Sequence, residues 1–76
     1  GAIVEIQGHT DNNRTPESNK TLSQERAHSV KRYLSAGGVS EARMTAVGYG
    51  QEVPLADNKT EAGKTKNRRV DFKLVY

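Results

Sequence analysis

Asp11 and Arg26 are the two residues whose types and placement point beyond packing. Arg26 lies in a segment where apolar residues recur at helical spacing. At about 100° per residue, with Leu22 at zero, Tyr33 falls at about 20°, Arg26 at about 40°, Val30 at about 80° and Ala27 at about 140°. The guanidinium thus sits inside the apolar arc. It stays charged at any accessible pH and is costly to bury alone, so the position demands a carboxylate or a bound anion. Asp11 follows the turn Gly8-His9-Thr10, whose backbone N–H groups can hold an anion. A crossover helix begins near the loop that feeds it, which brings Asp11 toward Arg26. Two outcomes stay open. The pair is an ion pair pinning loop to helix, or it forms a bipartite pocket. In the pocket, Arg26 grips a carboxylate bidentately while Asp11 accepts from an ammonium, which matches the zwitterionic head group of an amino acid. The crevice at the strand ends is where α/β sheets place such ligands.

Other reactive groupings are weaker. His9, Asp11 and Ser23 have the types of a hydrolytic triad, but no nucleophile elbow surrounds Ser23, which falls in an early helical turn. His9 and Asp11 supply two potential metal ligands without a third at sensible spacing. No catalysis, metal or cofactor is expected. His9 reads as a turn residue packed against the loop, His28 as a solvated helix residue, and Tyr33, Tyr49 and Tyr76 as core or rim packing.

The elements that must position Asp11 and Arg26 follow from periodicity. Ala2, Val4 and Ile6 alternate with Ile3, Glu5 and Gln7, a strand that ends at Gly8. A loop rich in turn formers runs to Pro16, and Ser18 or Asn19 then caps a helix reaching Ala36. Gly37-Gly38 supplies a left-handed exit. Ser40 caps one short turn over Glu41-Ala42-Arg43, and Met44–Tyr49 forms a second strand, with Gly48 and Gly50 marking close backbone approach or a bulge. After a loop from Gln51 to Lys59, a short helix runs from Thr60 to Lys66 and a third strand from Val70 to Tyr76. The order β-α-β-α-β predicts an α/β sandwich, a small mixed sheet with helices packed on one face.

Composition sets the scale. With 76 residues, 33% of them hydrophobic and 28% charged, the core is thin and a large catalytic cavity is not expected. There is no cysteine, so disulfides and thiolate metal sites are excluded. No apolar run approaches the roughly 18 residues of a membrane-spanning helix. Residues 1–58 carry six Lys or Arg against seven Asp or Glu and residues 59–76 six against two, so the net charge of +3 resides in the C-terminal segment. That segment supports an alternative, a protein-interaction or nucleic-acid-binding module. With one Phe, three Tyr and no densely basic helix face, a nucleic-acid partner is not expected.

Ile6-Gln7-Gly8-His9-Thr10-Asp11, then Asn19-x-x-Leu22-Ser23-x-x-Arg26-Ala27-x-x-Val30-x-x-x-Leu34, then Gly48-Tyr49-Gly50 with Pro54, and finally Asn58-x-Thr60 and Asn67-Arg68-Arg69-Val70-x-Phe72 form one set. It resembles the OmpA-like C-terminal domain family along nearly the whole chain. The resemblance implies non-covalent, non-catalytic binding of peptidoglycan in the periplasm, anchoring an envelope protein that a parent segment attaches to the outer membrane. It implies that Asp11 and Arg26 hold the diaminopimelate residue of the stem peptide, with Thr10, Asn19 and Arg68 lining the same pocket. Strand parity agrees for Arg68, which shares a side with Val70 and Phe72 while Arg69 shares one with Asp71 and Lys73. The family domain opens with a further strand and helix that have no counterpart here. The resemblance therefore implies that residues 1–76 are one such domain, incomplete at its N-terminus, with the first strand here an interior one. A sheet edge would then be left for a segment supplied from elsewhere or for self-association.

Overall fold

The computed structural model describes residues 2–75. Its elements are strand β1 (Ile3–His9), helix α1 (Pro16–Ala36), a 3-10 turn (Glu41–Arg43), strand β2 (Met44–Gly50), helix α2 (Glu61–Asn67) and strand β3 (Val70–Val75). Tyr76, expected to close the third strand, lies outside the described residues. The predicted order and α/β class hold. The sheet order is β2-β1-β3, with β1 parallel to β2 and antiparallel to β3. The first strand is thus the interior one.

Most boundaries fall within one residue of expectation, and two of the differences have a local reason. α1 is capped by Thr15, not by Ser18 or Asn19: the Thr15 Oγ1 accepts from the Ser18 N–H at 3.1 Å. Pro16 takes the first helical position, where no N–H is needed, and its ring holds Thr15 in the extended conformation that a cap requires. β1 continues one residue beyond Gly8, because His9 still pairs with Gly50 after a register shift. At the far end of α1 only the second glycine is left-handed, Gly38 at φ 105° against Gly37 at φ −83°.

α1 lies across β2 and β1. Ile6, Ala27 and Met44 form the buried apolar centre, with Val4, Val30, Leu34, Ala46 and Val70 packed around it. Backbone meets backbone where the strands end. A Cβ added to Gly8 would stand 2.1 Å from the Ser23 carbonyl oxygen, and one added to Gly48 would stand 2.4 Å from the Gln24 nitrogen. This approach lets α1 side chains serve the β2 edge: Gln24 donates to the Ala46 carbonyl at 2.9 Å and accepts from the Gly48 N–H at 2.7 Å, while Ser23 Oγ accepts from the Gly50 N–H at 2.9 Å. Groups that would otherwise template another strand are satisfied internally. The β3 flank is barer, with Phe72 58% and Leu74 55% exposed.

The close approach makes Gly8 the more sensitive of two glycines. Gly8→Ala should cost about 3 kcal/mol, since only backbone can move aside. Gly38→Ala meets no atom within 4 Å and suffers only its φ of 105°, a strain of about 1–2 kcal/mol. Urea midpoints of the two variants should differ accordingly; equal losses would contradict this account of the packing.

Candidate functional site

Where β1 ends and α1 begins, one cavity of about 190 Å³ is lined by Thr10, Asp11, Asn19, Arg26 and Arg68. The five residues nominated from the sequence therefore converge, joined by Asn13, Arg14 and Leu22. Three hollows are larger: two, of about 410 and 390 Å³, run along the outer side of α1, and one of about 360 Å³ lies at its C-terminal end between Tyr33, Leu34 and Val39. The first two are troughs between helical side chains. The smaller cavity gathers a buried carboxylate and guanidinium groups from three separate stretches of chain, and it carries the chemistry.

Asp11 is its fixed point. Its residue is 5% exposed, and its two oxygens accept from the Asn13 N–H at 3.1 Å, the Asn13 side-chain amide at 3.2 Å and Arg68 Nη1 at 2.5 Å. Burial pushes the Asp11 carboxyl up, but the Asn13 N–H and the Arg68 guanidinium outweigh it, and the group is held below the usual carboxylate range. Lys64, one helical turn before Arg68, donates to the Asn13 Oδ1 at 2.8 Å and so clasps the same loop from α2. Asn19, 1% exposed, ties α1 to this loop by donating to the Asp11 and Arg14 carbonyls and to Gln51 Oε1. Thr10 is anchored by its N–H to the Gly50 carbonyl at 2.9 Å, and its hydroxyl donates to the Asp11 carbonyl at 2.8 Å.

Arg26 corrects the sequence reading. It is exposed, and among the described residues no carboxylate lies within 4 Å of it; the partner of Asp11 is Arg68. The buried stripe of α1 is Asn19, Ser23 and Ala27, flanked by Val30 and Leu34, so the arc that meets the sheet is narrower than the apolar arc. Leu22, Arg26 and Tyr33 form its flank. Tyr33, expected to pack in the core or rim, is 79% exposed. The guanidinium of Arg26 thus stands at the cavity without an internal partner.

The catalytic grouping does not assemble. Ser23 Oγ donates to the Lys20 carbonyl and accepts from the Gly50 N–H, and His9 is engaged elsewhere. His9 is not a turn residue: it ends β1, is 1% exposed and stacks on Tyr49 with ring centres 5.4 Å apart. Gln7 turns its amide N–H to Glu5 at 2.9 Å, which leaves its oxygen to accept from His9 Nε2 at 3.2 Å. Tyr49 donates to the same Glu5 oxygen at 2.6 Å, which with the Gln7 bond lowers the Glu5 carboxyl and raises the Tyr49 phenol. Nδ1 of His9 is buried without a partner. Among the described residues no three His, Cys, Asp or Glu are grouped to hold a metal. The basic C-terminal segment is partly engaged inside the fold, Arg68 on Asp11, Arg69 on Asp71 at 2.9 Å and Lys64 on Asn13.

Sequence reasoning missed Asn13, Arg14 and Lys64. Asn13 had a readable signal, since an Asp two residues upstream commonly accepts from the backbone in an Asx turn. Lys64 had none, because it meets Asn13 across 51 positions.

The match to known proteins is close. The model of the OmpA family matches residues 1–68. Outer membrane porin F of Pseudomonas fluorescens is 53% identical over 68 residues, which cover 90% of this chain and 21% of the porin. The crystal structure of the peptidoglycan-associated lipoprotein from Burkholderia pseudomallei superposes with a TM-score of 0.93 at 43% identity, covering 97% of this chain and 63% of that one. The cell wall anchor of the T6SS from Pseudomonas aeruginosa superposes with a TM-score of 0.86 at 35% identity, covering 99% and 55%. The chain thus spans less than two thirds of each.

The buried imidazole makes a pH prediction. Burial first, and the Arg69 charge second, lower the His9 pKa, and Asp71 only partly opposes them. The unfolded chain takes up this proton near pH 6.5 and the fold resists it, so the stability contributed by neutral His9 is complete above that pH and falls as pH drops toward the folded pKa. Thermal midpoints should decline between about pH 7 and pH 5, and His9→Gln should flatten that slope whatever its midpoint at pH 7. An unchanged slope in the variant would assign the acid sensitivity elsewhere.

Proposed function

This chain belongs to the OmpA family, and we propose that it is a non-catalytic module that binds peptidoglycan through the diaminopimelate residue of the stem peptide. The observation that carries the reading is the convergence in one small cavity of an ionised, buried Asp11 and an unpaired Arg26. The names of the similar lipoprotein and cell wall anchor support the polymer. The free end of diaminopimelate is an amino acid head group, one ammonium and one carboxylate. Asp11 accepts the ammonium: its Oδ1 takes only the Asn13 N–H, so a lone pair stays available. Arg26 closes on the carboxylate with two parallel N–H donors, a geometry an ammonium cannot copy. Arg68 keeps Asp11 ionised and aimed, and Thr10 and Asn19 hold the loop between them. The module works in the periplasm as part of a protein held at the outer membrane, consistent with the similarity to an outer membrane porin.

Stability and binding separate in this mechanism. Arg26→Ala should leave folding stability within about 0.5 kcal/mol, since the side chain is exposed, yet weaken binding to purified sacculi by roughly tenfold to a hundredfold. Arg26→Lys should not restore it. Asp11→Ala should abolish binding and cost about 1–3 kcal/mol of stability by stranding its donors. Co-sedimentation with sacculi beside urea unfolding measures both. Undiminished sedimentation of the two alanine variants would refute the assignment.

A further inference from the structure

The charges around the cavity do not balance for a zwitterion alone. Three guanidinium groups line it, those of Arg14, Arg26 and Arg68, against the single carboxylate of Asp11. Asp11 and Arg68 neutralise each other at 2.5 Å, and the exposed Glu61, outside the cavity lining, reaches only Arg68, at 3.9 Å. A zwitterionic head group adds one charge of each sign, and its carboxylate satisfies Arg26. Arg14 is then left over. Its backbone is tied, with its carbonyl accepting from Asn19 at 3.3 Å, but among the described residues no carboxylate lies within 4 Å of its guanidinium. Glu17 and Glu25 line the adjoining trough with Arg14 and still form no ion pair with it. An uncompensated cation lining the same cavity repels a ligand ammonium.

We infer that the cavity selects a peptide with a second free carboxylate beside the zwitterionic head group, and that Arg14 is the specificity-determining residue that binds it. The inference rests on the peptidoglycan reading and names the form of stem peptide preferred: the free acid over the amidated form. The loop geometry fits this division of labour. Asn19 fixes the Arg14 backbone from α1, while Asn13 and Lys64 hold the other side of the loop. The Arg14 side chain is therefore displayed from an anchored backbone. Because it is exposed, its ion pair is partly screened and its effect is selective and modest.

The experiment is a calorimetric titration of the whole chain with three synthetic stem peptides of alanine, glutamate and diaminopimelate. The first has every carboxylate free. In the second, every carboxylate except that of the zwitterionic end is a carboxamide. In the third, only the carboxylate of the zwitterionic end is amidated. The unaltered protein should bind the second peptide about three- to tenfold more weakly than the first, and the gap should shrink at high salt. Arg14→Gln should bind the first two equally, at the weaker level, while Arg14→Lys keeps part of the difference. Arg43→Gln, the same charge change away from the cavity, should keep all of it. Kd values within twofold for the first two peptides, a gap that survives Arg14→Gln, or a gap lost in Arg43→Gln would each overturn the inference. Failure of the underlying reading looks different: the third peptide would bind as well as the first, or none would bind.

Discussion

At Gly8 and Gly48 the helix stands on the strand ends with no strand side chain between them, and the geometry of the cavity follows from that contact. Gly8 and Gly48 allow the backbone of α1 to come within the distance a single Cβ would occupy. At that separation Ser23 and Gln24 reach the open groups of β2, and Asn19 reaches both the loop after β1 and Gln51 after β2. The loop is then pinned from one side by α1. From the other side Lys64 and Arg68, four residues apart, reach it from α2 and its C-terminal end. Asp11 is thus held between α1, through Asn19, and the C-terminal end of α2, through Arg68.

Among the described residues, a core of three buried apolar side chains could not enforce such placement by itself. Six buried polar residues do the rest, among them Asn19, Ser23 and Asn67. Asn67 gathers the N–H groups of Leu55 and Ala56, the Ala56 carbonyl and Asn58, and so fixes the loop before α2. Such groups add little net stability when satisfied, but leaving one unpaired costs about 1–3 kcal/mol. In a small fold that asymmetry penalises every alternative loop position, so polar pairing determines position where apolar volume is scarce. His9 is the exception. Its ring is satisfied at Nε2 and orphaned at Nδ1, which makes it the buried group whose protonation the fold resists.

Element order and the five cavity residues were legible in the sequence, and the environment of Arg26 was not. Arg68 does reach the cavity, although it caps the C-terminal end of α2 and β3 begins only at Val70, so its direction is set by the helix end rather than by strand alternation. A helical wheel shows which residues share an arc, and the partners of that arc are set by the sheet. α1 covers β2 and β1 but leaves Phe72 and Leu74 of β3 bare, so the Leu22–Tyr33 side of the arc meets no strand. Arg26 on that side needs no internal partner. The cap falls on Thr15 rather than three or four residues later because a proline at the first helical position starts a helix. Lys64 and Asn13 touch only through tertiary folding, with no local pattern to betray them.

Exchanging Arg26 for Arg68 as the partner of Asp11 changes how the cavity can work. An Asp11–Arg26 pair would have to open before a zwitterion entered, and each ligand charge would compete with an internal one. With Arg68 in that role, Asp11 is ionised and oriented in advance, and in the proposed binding Arg26 would need only to shed water. Preorganisation of this kind favours binding by lowering what must be ordered on contact. It also makes the two residues unequal: Asp11 belongs to the fold as well as to the cavity, whereas Arg26 belongs to the cavity alone. On the proposed reading, the arginine that periodicity makes conspicuous is exposed because its partner comes from outside the chain.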